Sequence, residues 1–327
     1  MRLRIVHLVD DTTAGGVMRV LDHILHAPEM ALTGQHSLIF VQRGRVSLRK
    51  IQADVIVSHL AVSWRALPML VALRARHPQT PLVHVEHSYT KGFVSANVPH
   101  KRRFATLLRT TYGLFNRIVA VSRAQGQWLV QSGAVRAPRL SIIPSCVDLT
   151  AFRAVNPIDG PIRVIGAIGR LDRQKGFDTL ITAFRRTGGT DIALHIYGQG
   201  PEEAALLALA GGDTRIKFMG FTADPVAAMA SVDAIAMPSN WEAYGLVAIE
   251  ALAAGRQLLV NDIDGLADHV PHGALTVSGV SVDAWHLALT KLIRGQWARN
   301  FAPNLGSDHF ERAFAAHWKK LARDLAN

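Results

Sequence analysis

Cysteine is almost absent from this chain of 327 residues. Its one thiol, Cys146, excludes an intramolecular disulfide and fits a reducing compartment. No stretch reaches the roughly 18 to 20 apolar residues that a membrane span needs. The apolar run at the N-terminus is also too short for a signal peptide. We therefore expect a cytoplasmic protein, free or peripheral at the inner face of a membrane.

Several motifs are absent as well. No group of His and Cys residues has zinc spacing. No G-x-G-x-x-G fingerprint supports a dinucleotide-dependent oxidoreductase, and Ser122 has no G-x-S-x-G elbow around it. The sequence therefore offers no support for a zinc site, a nicotinamide cofactor or a serine hydrolase.

Acidic residues are scarce in the first half. Residues 1–155 hold 20 Lys and Arg against 7 Asp and Glu, a net charge of +13, whereas residues 156–327 hold 16 against 18. Such asymmetry indicates two domains with different partners. A sequence pI of 10.4 keeps a nucleic-acid binder open as an alternative. The aromatic content of 7% is ordinary and no recognition motif appears, so we expect no nucleic-acid partner.

Strand and helix patterns alternate along the whole chain, which predicts an α/β protein with doubly wound sheets. Strands are predicted in the first half at 2–10, 36–44, 53–60, 81–88 and 117–123. A linker with two prolines, 154–162, precedes a new strand at 162–171. We predict domains at 1–155 and 156–306, and a C-terminal helix over 307–327 that packs back on the first domain.

Residues 233–255 carry the strongest signal. They read DAIAMPSNWEAYGLVAIEALAAG and predict a buried strand, a loop, and a helix from about Tyr244 to Gly255. Eight residues of helical rise would separate Glu242 from Glu250 by roughly 12 Å. This separation is too large for a retaining glycosidase, in which the two catalytic carboxyl groups lie about 5.5 Å apart. The helix N-terminus between the glutamates is a natural phosphate seat. This arrangement fits a nucleotide-sugar, and two surface glutamates on an amphipathic helix are the alternative.

The motif Glu242-x7-Glu250, within PSNWEAYGLVAIEALAAG, resembles the signature of the family 4 retaining glycosyltransferases. The resemblance implies a GT-B fold, in which two Rossmann-like domains face a central cleft, and a nucleotide-diphosphate sugar as donor. Residues 169–184, GRLDRQKGFDTLITAF, are similar to the family's diphosphate-binding segment. The resemblance covers about 3–16, 81–152 and 162–270. Cys146 departs from it, since the family usually has Gly there.

The resemblance also implies a role for particular residues. The implied catalytic residues are His87, which would contact the transferred sugar, Arg170 and Lys175, which would bind the diphosphate, and Glu242, which would bind the sugar hydroxyls. Glu250 would bind the ribose. The remaining donor-binding positions are main-chain groups and close-approach glycines: Gly15, Gly16, Gly169, Gly198, Tyr244, Gly245 and Leu246.

The implied reaction moves a hexose to a saccharide acceptor with retention and without a metal or cofactor. Asp262-Ile-Asp264 resembles a D-x-D metal site, but we interpret it as a turn. A nucleotide-sugar 2-epimerase of the same fold is the alternative, and it would need acid and base carboxylates at a different spacing.

Residues 91–117 suggest the acceptor. They hold six Lys and Arg and no acidic residue, with Phe104, Leu107, Leu108 and Phe115 near one helical face. A basic amphipathic helix predicts contact with an anionic membrane surface. We therefore expect a lipid-linked saccharide acceptor, in surface polysaccharide, lipopolysaccharide or glycolipid biosynthesis. The alternative is that the apolar face belongs to the core and the cations are only solvated.

Overall fold

The computed structural model describes residues 2–11, 13, 15–42, 50–297 and 309–326. The chain divides into two compact units, one made of Met1–Asp148 with His309–Asn327 and the other of Leu149–Asp308. The boundary lies between Asp148 and Leu149, a few residues before the proline-containing linker. Among the described residues, no helix combines the length and the hydrophobicity of a membrane span.

The first unit contains a six-stranded sheet in which every neighbouring pair is parallel. Its strands are β1 (Arg4–Val9), β2 (Gln35–Phe40), β3 (Val55–Ser58), β4 (Leu82–Glu86), β5 (Arg117–Ala120) and β6 (Leu140–Ile142), in the order β2-β1-β3-β4-β5-β6. All residues of β3 and β4 are buried, as expected of parallel strands covered on both faces. The strand order reverses between β1 and β3, where doubly wound sheets bind ligands.

The α-helices described in this unit before the boundary are α1 (Gly16–His26), α2 (Leu67–Arg76), α3 (Lys91–Asn97), α4 (Lys101–Gly113) and α5 (Arg123–Gln131). The predicted basic amphipathic segment is thus two helices, because Pro99 disfavours helical geometry at the residue before it. In α4, Leu107, Leu108 and Tyr112 are buried and Phe104 packs against the same core. Core packing therefore covers this apolar face, as the alternative interpretation held, and contact of the cations with a membrane stays a prediction.

The second unit contains another six-stranded parallel sheet. Its strands are β7 (Val164–Ile168), β8 (Ala193–Tyr197), β9 (Ile216–Gly220), β10 (Ala234–Met237), β11 (Gln257–Asn261) and β12 (Leu275–Val277), in the order β12-β11-β10-β7-β8-β9. This is the order typical of dinucleotide-binding domains, with its switch point between β7 and β10.

The second unit's helices are α6 (Thr150–Arg153), α7 (Phe177–Arg185), α8 (Glu203–Ala210), α9 (Pro225–Ala230), α10 (Leu246–Ala253) and α11 (Val282–Ile293). A last helix, α12 (His309–Ala326), belongs to the first unit. The doubly wound α/β prediction is confirmed. The sequence analysis missed the 3-10 helix Asp264–His272 and the short strand β12. The predicted strand at 36–44 ends at Phe40, and its residues 43 and 44 lie outside the described residues.

Candidate active site

Two loops leave β7 and β10 at the switch point of the second unit. The first, residues 169–176, carries Arg170 and Lys175, and the second, residues 238–245, carries Glu242. The two strands are parallel neighbours, with Ala234 opposite Ile165, so both loops emerge at the same edge of the sheet. Open α/β sheets bind their ligands at this position.

An ion pair joins the two loops. Lys175 Nζ lies 2.5 Å from Glu242 Oε2, and the two side chains are only 18% and 11% exposed. Two hydrogen bonds reinforce the junction: the Asn240 N–H donates to the Gln174 carbonyl at 2.7 Å, and the Gln174 side-chain Nε2 donates to the Trp241 carbonyl at 3.1 Å. The structure thus brings two of the predicted catalytic residues into direct contact.

Glycines allow the loops to approach each other. Gly176 has φ +64°, and a Cβ there would lie 2.3 Å from the Pro238 carbonyl oxygen. At Gly198, with φ +142°, a Cβ would lie 1.9 Å from the Gly169 carbonyl oxygen. Both positions therefore need glycine for backbone conformation and for space. The chain's own packing accounts for Gly198, and its contact with a donor stays a prediction.

The loop after β10 ends at the N-terminus of α10. Gly245 has φ +90°, so the helix begins at Leu246, later than the predicted start near Tyr244. The buried Tyr244 is fixed by His269, whose ring lies 4.6 Å from the Tyr244 ring and whose Nε2 is 2.8 Å from the Tyr244 carbonyl oxygen. Burial lowers the pKa of His269 to about 4, so its ring is neutral and Nε2–H can donate to that carbonyl. The first N–H groups of α10 come directly after Tyr244 and Gly245 in the chain.

The other donor residues differ in exposure. Glu250 lies within α10 and is 1% exposed. The helical rise applies only from Leu246 onward, because Glu242 to Gly245 form a loop. The side chain of Arg170 is 69% exposed and forms an ion pair with Asp172. The roles of Glu250 on a ribose and of Arg170 on a diphosphate stay predictions.

In the first unit, His87 directly follows β4. The preceding residue, Glu86, is buried and shapes this strand end, since its Oε1 accepts the Ser88 and Tyr89 N–H groups at 2.7 and 2.9 Å. Its Oε2 accepts the Tyr112 hydroxyl at 2.6 Å. Burial favours a higher pKa for Glu86, but the nearby His84 ring, 3.6 Å away, and the hydrogen bonds from Tyr112 and the Tyr89 N–H outweigh it, and the pKa is lowered. Glu86 therefore acts as an ionised anchor for the turn that carries His87.

The contact made by His87 was not predicted. Its Nε2 lies 2.8 Å from Nδ1 of His59, the residue directly after β3. His59 in turn reaches His7 in β1, at 2.9 Å. A signal for this cluster was present in the sequence, because histidines lie in or directly after four of the predicted strands. With 15 histidines in the chain, only the order of the strands in the sheet shows which of them meet.

The glycine pair of the first βα turn lies at the start of α1. Gly15 is the residue before the helix and has φ −179°, an extended conformation that any residue can adopt, and Gly16 is the first helical residue. A Cβ at Gly15 would meet the Thr13 carbonyl oxygen at an ordinary 3.7 Å. The described residues thus give Gly15 no packing reason to be glycine, and approach of a ligand stays a prediction for both.

The described residues contain no group of three or more His, Cys, Asp or Glu side chains arranged to hold a metal ion. Asp262 follows β11, and Asp264 begins the 3-10 helix with φ +39°. This geometry is a turn, as the sequence analysis interpreted it. Independence of the reaction from a metal stays a prediction.

Two parallel six-stranded sheets, each with a switch-point edge, define a two-domain α/β GT-B fold. The crystal structure of Anabaena HepE in complex with UDP and glucose matches with a TM-score of 0.70 at 18% identity, covering 98% of both chains. The lipopolysaccharide outer core galactosyltransferase WaaB in its apo form matches with a TM-score of 0.71 at 15% identity, covering 99% of both chains. At these identities the likeness concerns the fold.

Sequence comparison identifies the family. The family model described as Glycosyl transferases group 1 matches residues 148–306, and the one described as Glycosyltransferase Family 4 matches residues 6–151. The chain belongs to the family 4 glycosyltransferases. A D-inositol 3-phosphate glycosyltransferase from Pseudarthrobacter chlorophenolicus is 30% identical over 259 residues, 72% of this chain and 60% of the relative. The chain spans between 50% and 60% of the length of three curated relatives, two D-inositol 3-phosphate glycosyltransferases and a 2-deoxystreptamine glucosyltransferase.

Proposed function

We propose that this protein transfers a hexose from a nucleotide-diphosphate sugar to a saccharide acceptor, with retention of anomeric configuration. The observation that carries the proposal is the Lys175–Glu242 ion pair, which joins the two switch-point loops just before the N-terminus of α10. A cation, a carboxylate and helical N–H groups at one sheet edge suit a ligand that combines phosphate with hydroxyls.

Each group has a distinct role in binding the donor. The Lys175 ammonium has three N–H donors, and one is directed at Glu242, so the others can bind phosphate oxygens. The Arg170 guanidinium is exposed and can bind the diphosphate as a fork once it leaves Asp172. Together with the N–H groups of α10, these cations would stabilise the charge that develops on the leaving β-phosphate.

The sugar and ribose contacts complete the donor site. Glu242 would accept hydrogen bonds from hydroxyls of the transferred sugar, and Glu250 would bind the ribose. For the first unit, we propose that His87 contacts the transferred sugar and that Gly15 and Gly16 allow close approach of a substrate.

The reaction would follow a front-side course without a metal. The acceptor hydroxyl forms its bond to the anomeric carbon on the face from which the nucleotide diphosphate departs, and the leaving phosphate oxygen takes the hydroxyl proton. No protein nucleophile is needed in this scheme. Arg170 and Lys175 would supply the positive charge that a divalent ion supplies in other transferases.

The comparisons support this choice of substrates. HepE has been crystallised with UDP and glucose, and the curated relative reported above is named for glycosyl transfer to D-inositol 3-phosphate. These properties belong to those proteins. For this chain they favour a nucleotide-sugar donor and a hydroxylated acceptor.

We further propose that the acceptor is a lipid-linked saccharide, met at the cytoplasmic face of an anionic membrane during surface polysaccharide or glycolipid synthesis. Lys101, Arg102 and Arg103 are all exposed, and with Pro99 and His100 they line a surface pocket. WaaB, which has a similar fold, is a lipopolysaccharide outer core galactosyltransferase. A cluster of cations at one pocket suits the phosphate of a lipid carrier or headgroup.

A panel of nucleotide-sugars in a thermal-shift assay tests the donor. A true donor at 100 times its dissociation constant should stabilise the protein by about 2.7 kcal/mol. The selected donor is then incubated with candidate acceptors. Nucleotide release only when an acceptor is present supports a transferase, whereas conversion of the sugar without an acceptor supports the epimerase. Activity that is lost with EDTA and restored by Mg²⁺ would contradict the metal-free scheme.

A further inference from the structure

A row of four histidines crosses the first sheet. His36 lies in β2, His7 in β1, His59 directly after β3 and His87 directly after β4. Because the sheet order is β2-β1-β3-β4, each of four adjacent strands contributes one ring. Adjacent strands lie about 4.8 Å apart, and successive ring centroids along the row are 5.3, 5.2 and 5.1 Å apart.

Each ring is hydrogen-bonded to the next. The Nε2 atoms of His87, His59 and His7 lie 2.8, 2.9 and 3.0 Å from Nδ1 of the following ring. The far end reaches a hydroxyl, since His36 Nε2 lies 2.7 Å from Thr33 Oγ1. We refer to these four histidines with Thr33 as the histidine chain.

Thr33 sets the direction of every bond in the histidine chain. Its hydroxyl donates its only proton to the Met30 carbonyl at 2.8 Å, because a carbonyl oxygen can only accept. Thr33 Oγ1 must therefore accept from His36, whose Nε2 carries the ring proton. A neutral imidazole has one donor and one acceptor, so His36 Nδ1 accepts from His7 Nε2–H. By the same argument, His7 Nδ1 accepts from His59 Nε2–H, and His59 Nδ1 accepts from His87 Nε2–H.

We propose that the histidine chain holds His87 in its Nε2–H tautomer, so that its Nδ1 lone pair accepts a hydrogen bond from a hydroxyl of the transferred sugar. This inference rests on the proposed function, in which His87 contacts that sugar. His59, His7, His36 and Thr33 are then positioning residues, because they act only through the His87 ring.

Burial keeps the rings neutral, as the histidine chain requires. An imidazolium has two donors, so a charged interior ring would direct an N–H group at the N–H group of its neighbour. Burial lowers the pKa of His7 and His59 well below the usual range and lowers that of His36 and His87 to about 4.

Nitrogen NMR of the rings tests the tautomer without any substrate. The full-length protein, labelled with ¹⁵N-histidine, is measured at pH 7.5 in a two-bond proton–nitrogen correlation, which separates the two neutral tautomers and the imidazolium. Single His→Gln variants assign the four resonances. All four rings are expected to be Nε2–H. An Nδ1–H ring or an imidazolium at any of the four positions overturns the proposal.

Substitutions of the terminal hydroxyl test its control of the chain. Thr33→Val removes the hydroxyl at nearly constant volume, and we expect His87 to become a mixture of tautomers. Thr33→Ser should restore the single tautomer. Thr111→Val is the matched control, since Thr111 is a buried threonine whose Oγ1 has no hydrogen-bond partner within the described chain. A wholly Nε2–H His87 in folded Thr33→Val overturns the role of Thr33, and if that variant does not fold, the wild-type spectrum still decides the tautomer.

Donor kinetics link the histidine chain to catalysis. Thr33→Val should lower kcat/KM for the donor by up to about tenfold, the net worth of one hydrogen bond. Thr33→Ser and Thr111→Val should stay within about twofold of wild type. If the wild-type protein consumes no nucleotide-sugar, the proposed function fails while the NMR result stands. Wild-type kcat/KM in an active Thr33→Val enzyme overturns the catalytic part of the inference.

Discussion

Lys175 Nζ and Glu242 Oε2 lie 2.5 Å apart although their residues are 67 positions apart in the chain. The contact joins the loop after β7 to the loop after β10, and both side chains are largely shielded from water. A pair of this kind holds its loops in place before a ligand arrives, which reduces the ordering that binding would otherwise require. Lys175 is therefore both a proposed phosphate ligand and part of the framework of the site.

Lys175→Ala should lower kcat/KM for the donor by about 10²-fold, since one well-placed donor to developing charge is worth roughly 3 kcal/mol. Glu242→Gln keeps an acceptor for Lys175, so the loops should stay ordered and kcat/KM should fall less than in Lys175→Ala. Steady-state kinetics with the selected donor measure both. Lys217→Ala, at an exposed lysine of β9, is the control and should match wild type. Near-wild-type activity of both Lys175→Ala and Arg170→Ala would show that the donor site is elsewhere.

Gly176→Ala should weaken nucleotide binding through the backbone alone. At φ +64° a left-handed alanine costs about 1 to 2 kcal/mol, and its Cβ would also press on the Pro238 carbonyl of the neighbouring loop. Gly295→Ala is the matched control, because Gly295 also has φ +64° but a Cβ there meets nothing within 4 Å. Both variants should lose stability from the left-handed conformation, Gly176→Ala more because of its contact with Pro238, but only Gly176→Ala should weaken binding in calorimetry. Equal affinities would show that the loop junction does not form the site.

The sequence predicted the alternation of strands and helices because period and punctuation are local properties. It also indicated Lys175 and Glu242 separately, through motifs that resemble a family. It could not show that these two side chains, 67 positions apart in the chain, touch, because that contact depends on the pairing of β10 with β7. Likewise, the helix begins at Leu246 and not at the predicted Tyr244, because Gly245 adopts a left-handed conformation that hydrophobic periodicity does not reveal.

Amphipathic patterns left a real ambiguity in α4. Leu107 and Leu108 lie on a face that could equally have met lipid or a core, since both environments select the same residues. Packing against the first sheet resolves it in favour of the core. The sequence could not predict the histidine chain either, because its four histidines become neighbours only through the strand order β2-β1-β3-β4.

His269 should make the stability of the second unit depend on pH. Its folded pKa of about 4 lies below the ordinary 6.5, so the unfolded state takes up a proton first as the pH falls. The stability is therefore fully present above about pH 6.5 and is lost between about 6.5 and 4, by up to about 1.4 kcal/mol per pH unit. His269→Gln keeps a donor for the Tyr244 carbonyl but removes this titration.

Urea unfolding of wild type and His269→Gln at pH 7.5 and pH 5 measures the effect. The loss of stability between the two pH values should be smaller in the variant by about 2 kcal/mol. The comparison uses the change with pH, so any constant cost of the substitution cancels. An identical change in both proteins would show that His269 is not held neutral in the folded state.

We propose that the exposed cations of α4 form the surface that contacts an anionic membrane. Lys101, Arg102 and Arg103 lie in its first turn, and no acidic residue lies within residues 91–117. The Arg103 guanidinium lies 5.8 Å from the ring centre of Trp64, an indole that is 42% exposed. Tryptophan and arginine side chains both favour the headgroup region of a bilayer. The apolar face of α4 is buried, so the contact we propose is electrostatic, with Trp64 at its margin.

Replacing Lys101, Arg102 and Arg103 together by Ser should weaken binding to anionic liposomes. Each cation near such a surface contributes about 1 kcal/mol, so the triple variant should lose on the order of a hundredfold in partition coefficient. Co-sedimentation at low and at physiological salt measures it, and wild-type binding should fall as salt rises because the attraction is screened.

The matched control replaces Lys319, Lys320 and Arg323, three exposed cations of α12, and removes the same charge from the same unit. Equal losses in both triple variants would assign the binding to net charge alone. No binding by wild type, or equal binding to neutral liposomes, would favour an acceptor that is free in solution.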